Sequence, residues 1–235
     1  MLEILYQDDY LVAINKPHGL LVHQSAIARD ANEFALQLLR DQLGRPVYPV
    51  HRLDRKTSGV LLFALSNELN SMLQQTFMNG KVKKKYVALL RGFPPQNGTI
   101  DYPLVNESGK TQDAQTDFSV IERFEIPVAS GKHVTSRYSM VEAVPKTGRM
   151  HQLRKHFAHI LHPIIGDRPH GCNKQNKLFL EIWQMSTMLL HASSLQFIHP
   201  ITTVDVTIEA KLHSEFERVL LLMREGDLLK NPQNQ

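Results

Sequence analysis

A single cysteine, Cys172, stands in the 235 residues, so no intramolecular disulfide can form and a cysteine-rich zinc site is excluded. That usage fits a reducing compartment. Long apolar runs are also missing. The longest, Val60 to Leu65 and Val219 to Met223, fall far short of the ~20 residues that span a bilayer. Residues Met1 to Asp9 have neither a basic start nor an apolar stretch behind it, so no secretory leader is expected. No glycine-rich phosphate loop, dinucleotide fingerprint or Gly-x-Ser-x-Gly elbow occurs, which argues against nucleotide-dependent and serine-hydrolase chemistry. Charge of one sign is only slightly in excess: 27 Lys and Arg against 23 Asp and Glu, a net +4. Such a balance permits a polyanionic partner without demanding one. The expectation is a cytoplasmic protein with no membrane partner, working as a monomer.

What is present is an ordinary globular composition, 42% apolar and 21% charged. Residues 2–7 and 10–15 read as strands around the turn at Gln7-Asp8-Asp9, and Lys16-Pro17-His18-Gly19 stops the second. Leu20 to His23 reads as a resumed extended run. Asp30 or Asn32 is placed to cap a helix reaching about residue 43, with Gly44 as its stop. The unbroken apolar run Val60 to Leu65 has the pattern of a strand buried on both faces. A helix capped by Ser66 or Asn67 and a strand from Tyr86 to Gly92 follow, then a loop or short hairpin over 94–116. Beyond it the expected order is strands at 116–124 and 134–144, a helix near 150–161, strands at 188–198 and 203–209, and a helix at 212–224. There is no internal repeat, and the only biased segment is the polar tail Asn231 to Gln235. Strands and helices without strict alternation predict an α+β fold with a largely antiparallel central sheet flanked by helices and a central cleft. The organisation expected is one domain of two lobes, about 1–93 and 114–225.

Three stretches could carry chemistry. In His51-Arg52-Leu53-Asp54-Arg55-Lys56-Thr57-Ser58-Gly59, directly before the buried strand, Asp54 is surrounded by cations. Cations favour the ionised carboxylate, the species needed for nucleophilic attack. An exposed ion-pair cluster explains the same residue types. In Lys146 to His156, a helix starting near Met150 would put His151, Arg154 and Lys155 on one face, with Arg149 at its edge and Gln152 offering a donor and an acceptor. That face suits phosphates or a partner carboxylate; a solvated polar face is the alternative. Lys81-Val82-Lys83-Lys84-Lys85-Tyr86 places four lysines in five residues before an aromatic, as a nucleic-acid backbone and a stacked base would require. A strand edge protected by lysines would look the same. His151, His156, His159 and His162 cluster, but without the His-Glu-x-x-His spacing or any acidic residue among them, and no metal is expected.

Taken in order, these stretches resemble the RluA-type family of RNA pseudouridine synthases. His51-Arg52-Leu53-Asp54-x-x-Thr57-Ser58-Gly59-Val60-Leu61 looks like the family's catalytic signature. Asn15-Lys16-Pro17-x-Gly19-x-x-Val22-His23 resembles its N-terminal segment and Lys84-Lys85-Tyr86 its basic-tyrosine motif. Thr147-Gly148-Arg149-x-His151-Gln152-Leu153-Arg154-x-His156 with His162-Pro163-Ile164-x-Gly166-Asp167 resembles its third motif, and Leu190-His191-Ala192 its late strand. Within the family, Met1 to Asp8, Asp101 to Val105 and Glu142-x-x-Pro145-Lys146-Thr147-Gly148-Arg149 look like the subgroup that modifies uridine 65 of tRNA. An S4-like RNA-binding domain, present in several relatives, is not expected, and Pro169 to Met188 carries no motif.

The resemblance implies a cofactor-free isomerase. Asp54 would be the nucleophile toward a uridine of tRNA, with Tyr86 packed on the flipped base and Arg154 paired with Asp54. Arg52 would fill the space the nucleotide leaves, Leu190 would belong to an apolar wall, and Arg55, Lys84, Lys85, Arg149, His151 and Gln152 would bind RNA. The same chemistry on ribosomal RNA, or an RNA-binding module without catalysis, are the alternatives.

Overall fold

The computed structural model describes residues 1–24, 33–129 and 133–228. In chain order the first elements are β1 (Glu3–Gln7), β2 (Leu11–Lys16), α1 (Ala35–Leu43), β3 (Tyr48–Pro49), β4 (Ser58–Ala64), α2 (Asn67–Met78) and β5 (Lys83–Arg91). Then come β6 (Asn97–Asp101), β7 (Leu104–Val105), β8 (Thr111–Gln112), β9 (Gln115–Ile126) and β10 (Ser136–Pro145). The rest are α3 (Gln152–His159), α4 (Asn173–Trp183), β11 (Leu190–Ile198), β12 (Asp205–Glu209) and α5 (Ser214–Leu228). The α+β class with mostly antiparallel pairing is as expected. The chain forms two compact units: Met1–Lys85 with His191–His213, and Tyr86–Leu190 with the segment from Ser214 onward.

In the first unit β4 is the spine. All seven of its residues are buried, which is why its sequence shows no alternation. On one side β2 runs antiparallel to it, from Leu11 opposite Ala64 to Lys16 opposite Gly59, and β1 pairs antiparallel with β2. On the other side β11 runs parallel, with His191 opposite Ser58 and Ala192 opposite Gly59, and β12 closes antiparallel onto β11. Leu11, Ala13, Leu62 and Ala64 pack with Leu69 and Leu73 of α2 and with Leu195 and Phe197 of β11. Ser66 caps α2 by accepting from Leu69 N at 3.2 Å. Helix α1 begins after Phe34 and ends at Gly44 in a left-handed conformation; the expected caps Asp30 and Asn32 lie outside the described residues. Leu20 to His23 is not a strand. Only Leu21 makes a bridge, to Phe34, because the Leu20 carbonyl turns to Lys16 Nζ while the Leu21 and Val22 carbonyls accept from Ala35 N and Leu36 N at the start of α1.

In the second unit the residues of β5 from Tyr86, then β10, β9 and β6, pair antiparallel in that order. Ala88, Leu90, Val141, Phe157 of α3, Ile164 and Met188 form its core. The hairpin of β7 and β8 falls in the stretch read as a loop or short hairpin, while β3, β6 and α4 were not expected. Strand β6 buries only Ile100 fully, so its polar composition reads as loop. Helix α4 fills the stretch without motifs, and its Phe179 is wholly buried against the rings of Tyr138 and Trp183 at 5.1 and 4.8 Å. Helix α5 extends along β9 and is tied by Arg224 to Glu122 at 2.7 Å. Among the described residues no helix is long and apolar enough to cross a membrane.

Gly59 carries the tightest constraint on β4. Its φ is +110° and a Cβ there would lie 2.1 Å from the carbonyl oxygen of Ala192. Gly59→Ala should therefore lose about 2–4 kcal/mol through backbone strain and displacement of β11. Urea unfolding checks it; an unchanged midpoint would contradict the close approach.

Candidate active site

The Asp54 loop in the first unit is built around a buried cation. Lys16, at the end of β2, is 0% exposed. Its Nζ donates to the carbonyls of Pro17 at 3.0 Å, Leu20 at 2.7 Å and Arg55 at 3.2 Å. Pro17 and Gly19 turn the chain sharply enough for two of those carbonyls to face one ammonium. Gly19 N also donates to Arg55 O at 2.9 Å, and Arg55 Nε donates back to Gly19 O at 3.1 Å. Thr57 N closes the loop onto Asp54 O at 3.0 Å. Burial pushes the Lys16 pKa down to about 7, and the charge of Asp54 opposes that shift. Asp54 is half-buried in this loop, between exposed Arg52 and Arg55.

Three histidines beside the loop are held neutral. Burial pushes His51 down to about 3, helped by the positive charge of Lys84; its ring stacks on Phe77 and its Nε2 accepts from Leu62 N at 3.1 Å. His18 is lowered to about 4 by burial first, then by the charges of His213, Lys16, Lys56 and Arg55. His191 is lowered to about 4, again chiefly by burial. Its Nε2 faces the carbonyl of Ala210 at 3.3 Å, which can only accept, so Nδ1 accepts from the Ser58 hydroxyl at 2.9 Å. The ring thus locks β11 to β4 just behind Asp54. Lys84 is itself lowered by burial, and Lys85 is half-buried beside it.

In the second unit Arg154 is 6% exposed and Asp167 1%. Arg154 Nε donates to Asp167 Oδ2 and Nη2 to Oδ1, both at 2.8 Å, a bidentate pair. The shared face expected of His151, Arg154 and Lys155 does not form. Helix α3 begins only at Gln152, His151 has a left-handed φ of 56°, and Lys155 reaches back to the carbonyl of Val105. Gln152, expected to meet RNA, is instead a buried tie. Its Oε1 accepts from Thr147 Oγ1 at 2.6 Å and Arg149 N at 3.0 Å, and its Nε2 donates to Gln115 O and Thr116 Oγ1 at 3.0 Å. Its hydrogen-bonding capacity is engaged within the protein. His151 Nδ1 meets His170 Nε2 at 3.1 Å, and Arg149 Nε holds Asp113 O at 2.9 Å. His156 bonds Thr116 Oγ1 and Tyr102 O, both at 3.0 Å, and His159 stacks on Tyr102 at 3.6 Å, so both histidines serve the fold. Tyr86 is half-buried opposite Ala143, at the start of the unit's β5 ladder. Leu190 is packed in the core with Met188 and Leu90.

Residues 10–159 match the family described as RNA pseudouridylate synthase. The chain belongs to that family. It is 46% identical over 231 residues to the tRNA pseudouridine synthase C of Vibrio cholerae, covering 94% of this chain and 95% of that one. To the protein of the same name from Haemophilus influenzae it is 44% identical, covering 94% and 97%. The solved structure of human RNA Pseudouridylate Synthase Domain Containing 4 aligns with a TM-score of 0.71 at 28% identity, over 94% of this chain and 93% of that one.

In this synthase-family chain Lys16, Asp167 and His191 lie inside motifs with no role expected of them, and Asn176 lies outside every motif. The signal available was chemical: a lysine within an otherwise apolar strand, and an aspartate after a basic helix, each need a partner if buried.

The neutral histidines generate a pH prediction. In the unfolded chain they bind protons near 6.5, while folded His18 and His191 do so only near 4 and His51 near 3. The unfolded state therefore holds more protons below 6.5, and the stability these rings contribute is full above that value and falls as pH drops. The urea midpoint should decline between pH 6.5 and 5, above the ordinary carboxylate range. A flat or rising midpoint there would contradict the burial of these rings.

Proposed function

We propose that the chain is a tRNA pseudouridine synthase that isomerises one uridine, at position 65, with Asp54 as nucleophile. The observation that carries the assignment to Asp54 is its loop, pinned by the buried Lys16 and locked from behind by Ser58 and His191. A carboxylate held in a rigid loop among cations is pre-organised to attack and loses little freedom in doing so. The choice of tRNA is supported by the near full-length similarity to the bacterial tRNA pseudouridine synthases C.

The reaction follows from balance. Attack by Asp54 on the ribose or base weakens the N-glycosidic bond, which breaks. The uracil turns and bonds to C1′ through its C5 while the bond to Asp54 breaks and returns the free carboxylate, the C5 proton leaves, and the freed ring nitrogen takes up a proton. No redox change and no external group enter, so no cofactor is required. Extracting the uridine from its stack costs a few kcal/mol, and exposed Arg52 is placed by this reading to occupy the gap. Tyr86 stacks on the extracted base, Arg154 is assigned to the reaction, and Leu190 contributes apolar surface that keeps water from the cleaved intermediate. Arg55, Lys84, Lys85, Arg149 and His151 are assigned to the RNA. The chain works as a cytoplasmic monomer.

Asp54→Ala and Asp54→Asn should reduce tritium release from 5-tritiated uridine in tRNA by at least about a thousandfold while tRNA affinity is retained. Appreciable turnover by Asp54→Ala would refute the nucleophile. Wild-type protein that binds tRNA tightly but converts no uridine would refute the enzyme.

A further inference from the structure

The pair between Arg154 and Asp167 is costly to build. Two charges with 6% and 1% exposure have left water, and apolar residues of the same volume would serve stability as well or better. What the pair supplies is direction. The guanidinium is a rigid plane, so fixing its Nε–Nη2 edge on the two Asp167 oxygens, both at 2.8 Å, also fixes where Nη1 points.

The carboxylate is anchored in turn. Asn176, one turn into α4, brackets residues 166–167 with its side chain. Its Nδ2 donates to Asp167 O at 2.7 Å, and its Oδ1 accepts from Gly166 N at 2.8 Å. Gly166 adopts a φ of +82°, and a Cβ there would lie 1.9 Å from Thr187 O, so this peptide fits only with glycine. A continuous chain of contacts runs from α4 through Asn176 and the Gly166-Asp167 peptide to the arginine. It assigns work to the segment 169–188, which no motif marks.

We propose that Asp167 and Asn176 are positioning residues that orient the Arg154 guanidinium for the isomerisation. The proposal rests on the assignment of Arg154 to the reaction. Neither residue acts on RNA directly; each works by holding the arginine. Their loss should lower turnover while leaving tRNA binding in place, since misplacing a reacting group by about an ångström costs on the order of a hundredfold.

The test is steady-state kinetics on tRNA with Asn176→Ala, Asn176→Asp, Asp167→Asn and Arg154→Lys, alone and combined. Asn176→Ala should lower kcat on the order of tenfold, with KM within about twofold of wild type and the thermal midpoint reduced by a few degrees at most. Asn176→Asp, which keeps the acceptor for Gly166 N, should recover part of the loss. Arg154→Lys keeps the charge but cannot make the fork, so adding Asn176→Ala to it should reduce kcat by less than about twofold more. Asp167→Asn should follow Asn176→Ala in the same direction and further; should that variant fail to fold, the Asn176 series decides alone. An unchanged kcat in Asn176→Ala, or full additivity with Arg154→Lys, would overturn the positioning role. If Arg154→Lys and Arg154→Ala retain wild-type kcat, the assignment of Arg154 itself fails, which is a separate outcome.

Discussion

An ammonium with no exposure cannot remain charged without acceptors, and that requirement organises the first unit. Lys16 Nζ gathers carbonyls from Pro17, Leu20 and Arg55, two segments far apart in sequence. Satisfying it forces the turn after β2 inward and pulls the Asp54 loop onto that turn. The reciprocal bonds between Gly19 and Arg55 then follow, since their peptides are already adjacent. Behind the loop, the absent side chain of Gly59 lets β11 approach β4, and His191 bonds Ser58 across the same junction. The carboxylate of Asp54 is thereby carried on a loop whose backbone has little freedom left.

The second unit solves a similar problem with side chains. Gln152, Thr116 and His156 form one buried network. The Thr116 hydroxyl accepts from Gln152 and donates to His156, whose other nitrogen donates to the Tyr102 carbonyl. On the same helix Arg154 forms a buried bidentate pair with Asp167. Such networks are expensive when half satisfied and rigid when complete. Lys16 and the Arg154–Asp167 pair are thus held by burial with their partners, while exposed ion pairs such as Arg224–Glu122 occur at the surface.

Much of this was legible in the sequence. The apolar run of β4, the Ser66 cap and the Gly44 stop were written in local periodicity and turn chemistry, which depend on neighbours along the chain. The motifs around Asp54, Tyr86 and Arg154 identified the family, which the match over residues 10–159 bears out. What could not be read depends on partners distant in sequence. Gln152 looks like a residue for a ligand until four protein groups are seen around it. His151 looks helical until its left-handed φ takes it out of register with Arg154. Strand β6 and helix α4 escaped because one buries a single residue fully and the other belongs to no motif, so neither shows a strong pattern.

The central claim is that this loop gives Asp54 the chemistry that isomerises a uridine of tRNA. Carbodiimide mapping of tRNA from cells lacking the chain, complemented either with the wild type or with Asp54→Ala, addresses it most directly. One uridine position should lose its pseudouridine stop in the deletion, regain it with the wild type and stay unmodified with the variant. Restoration by Asp54→Ala, or a deletion that changes no tRNA position, would contradict the account.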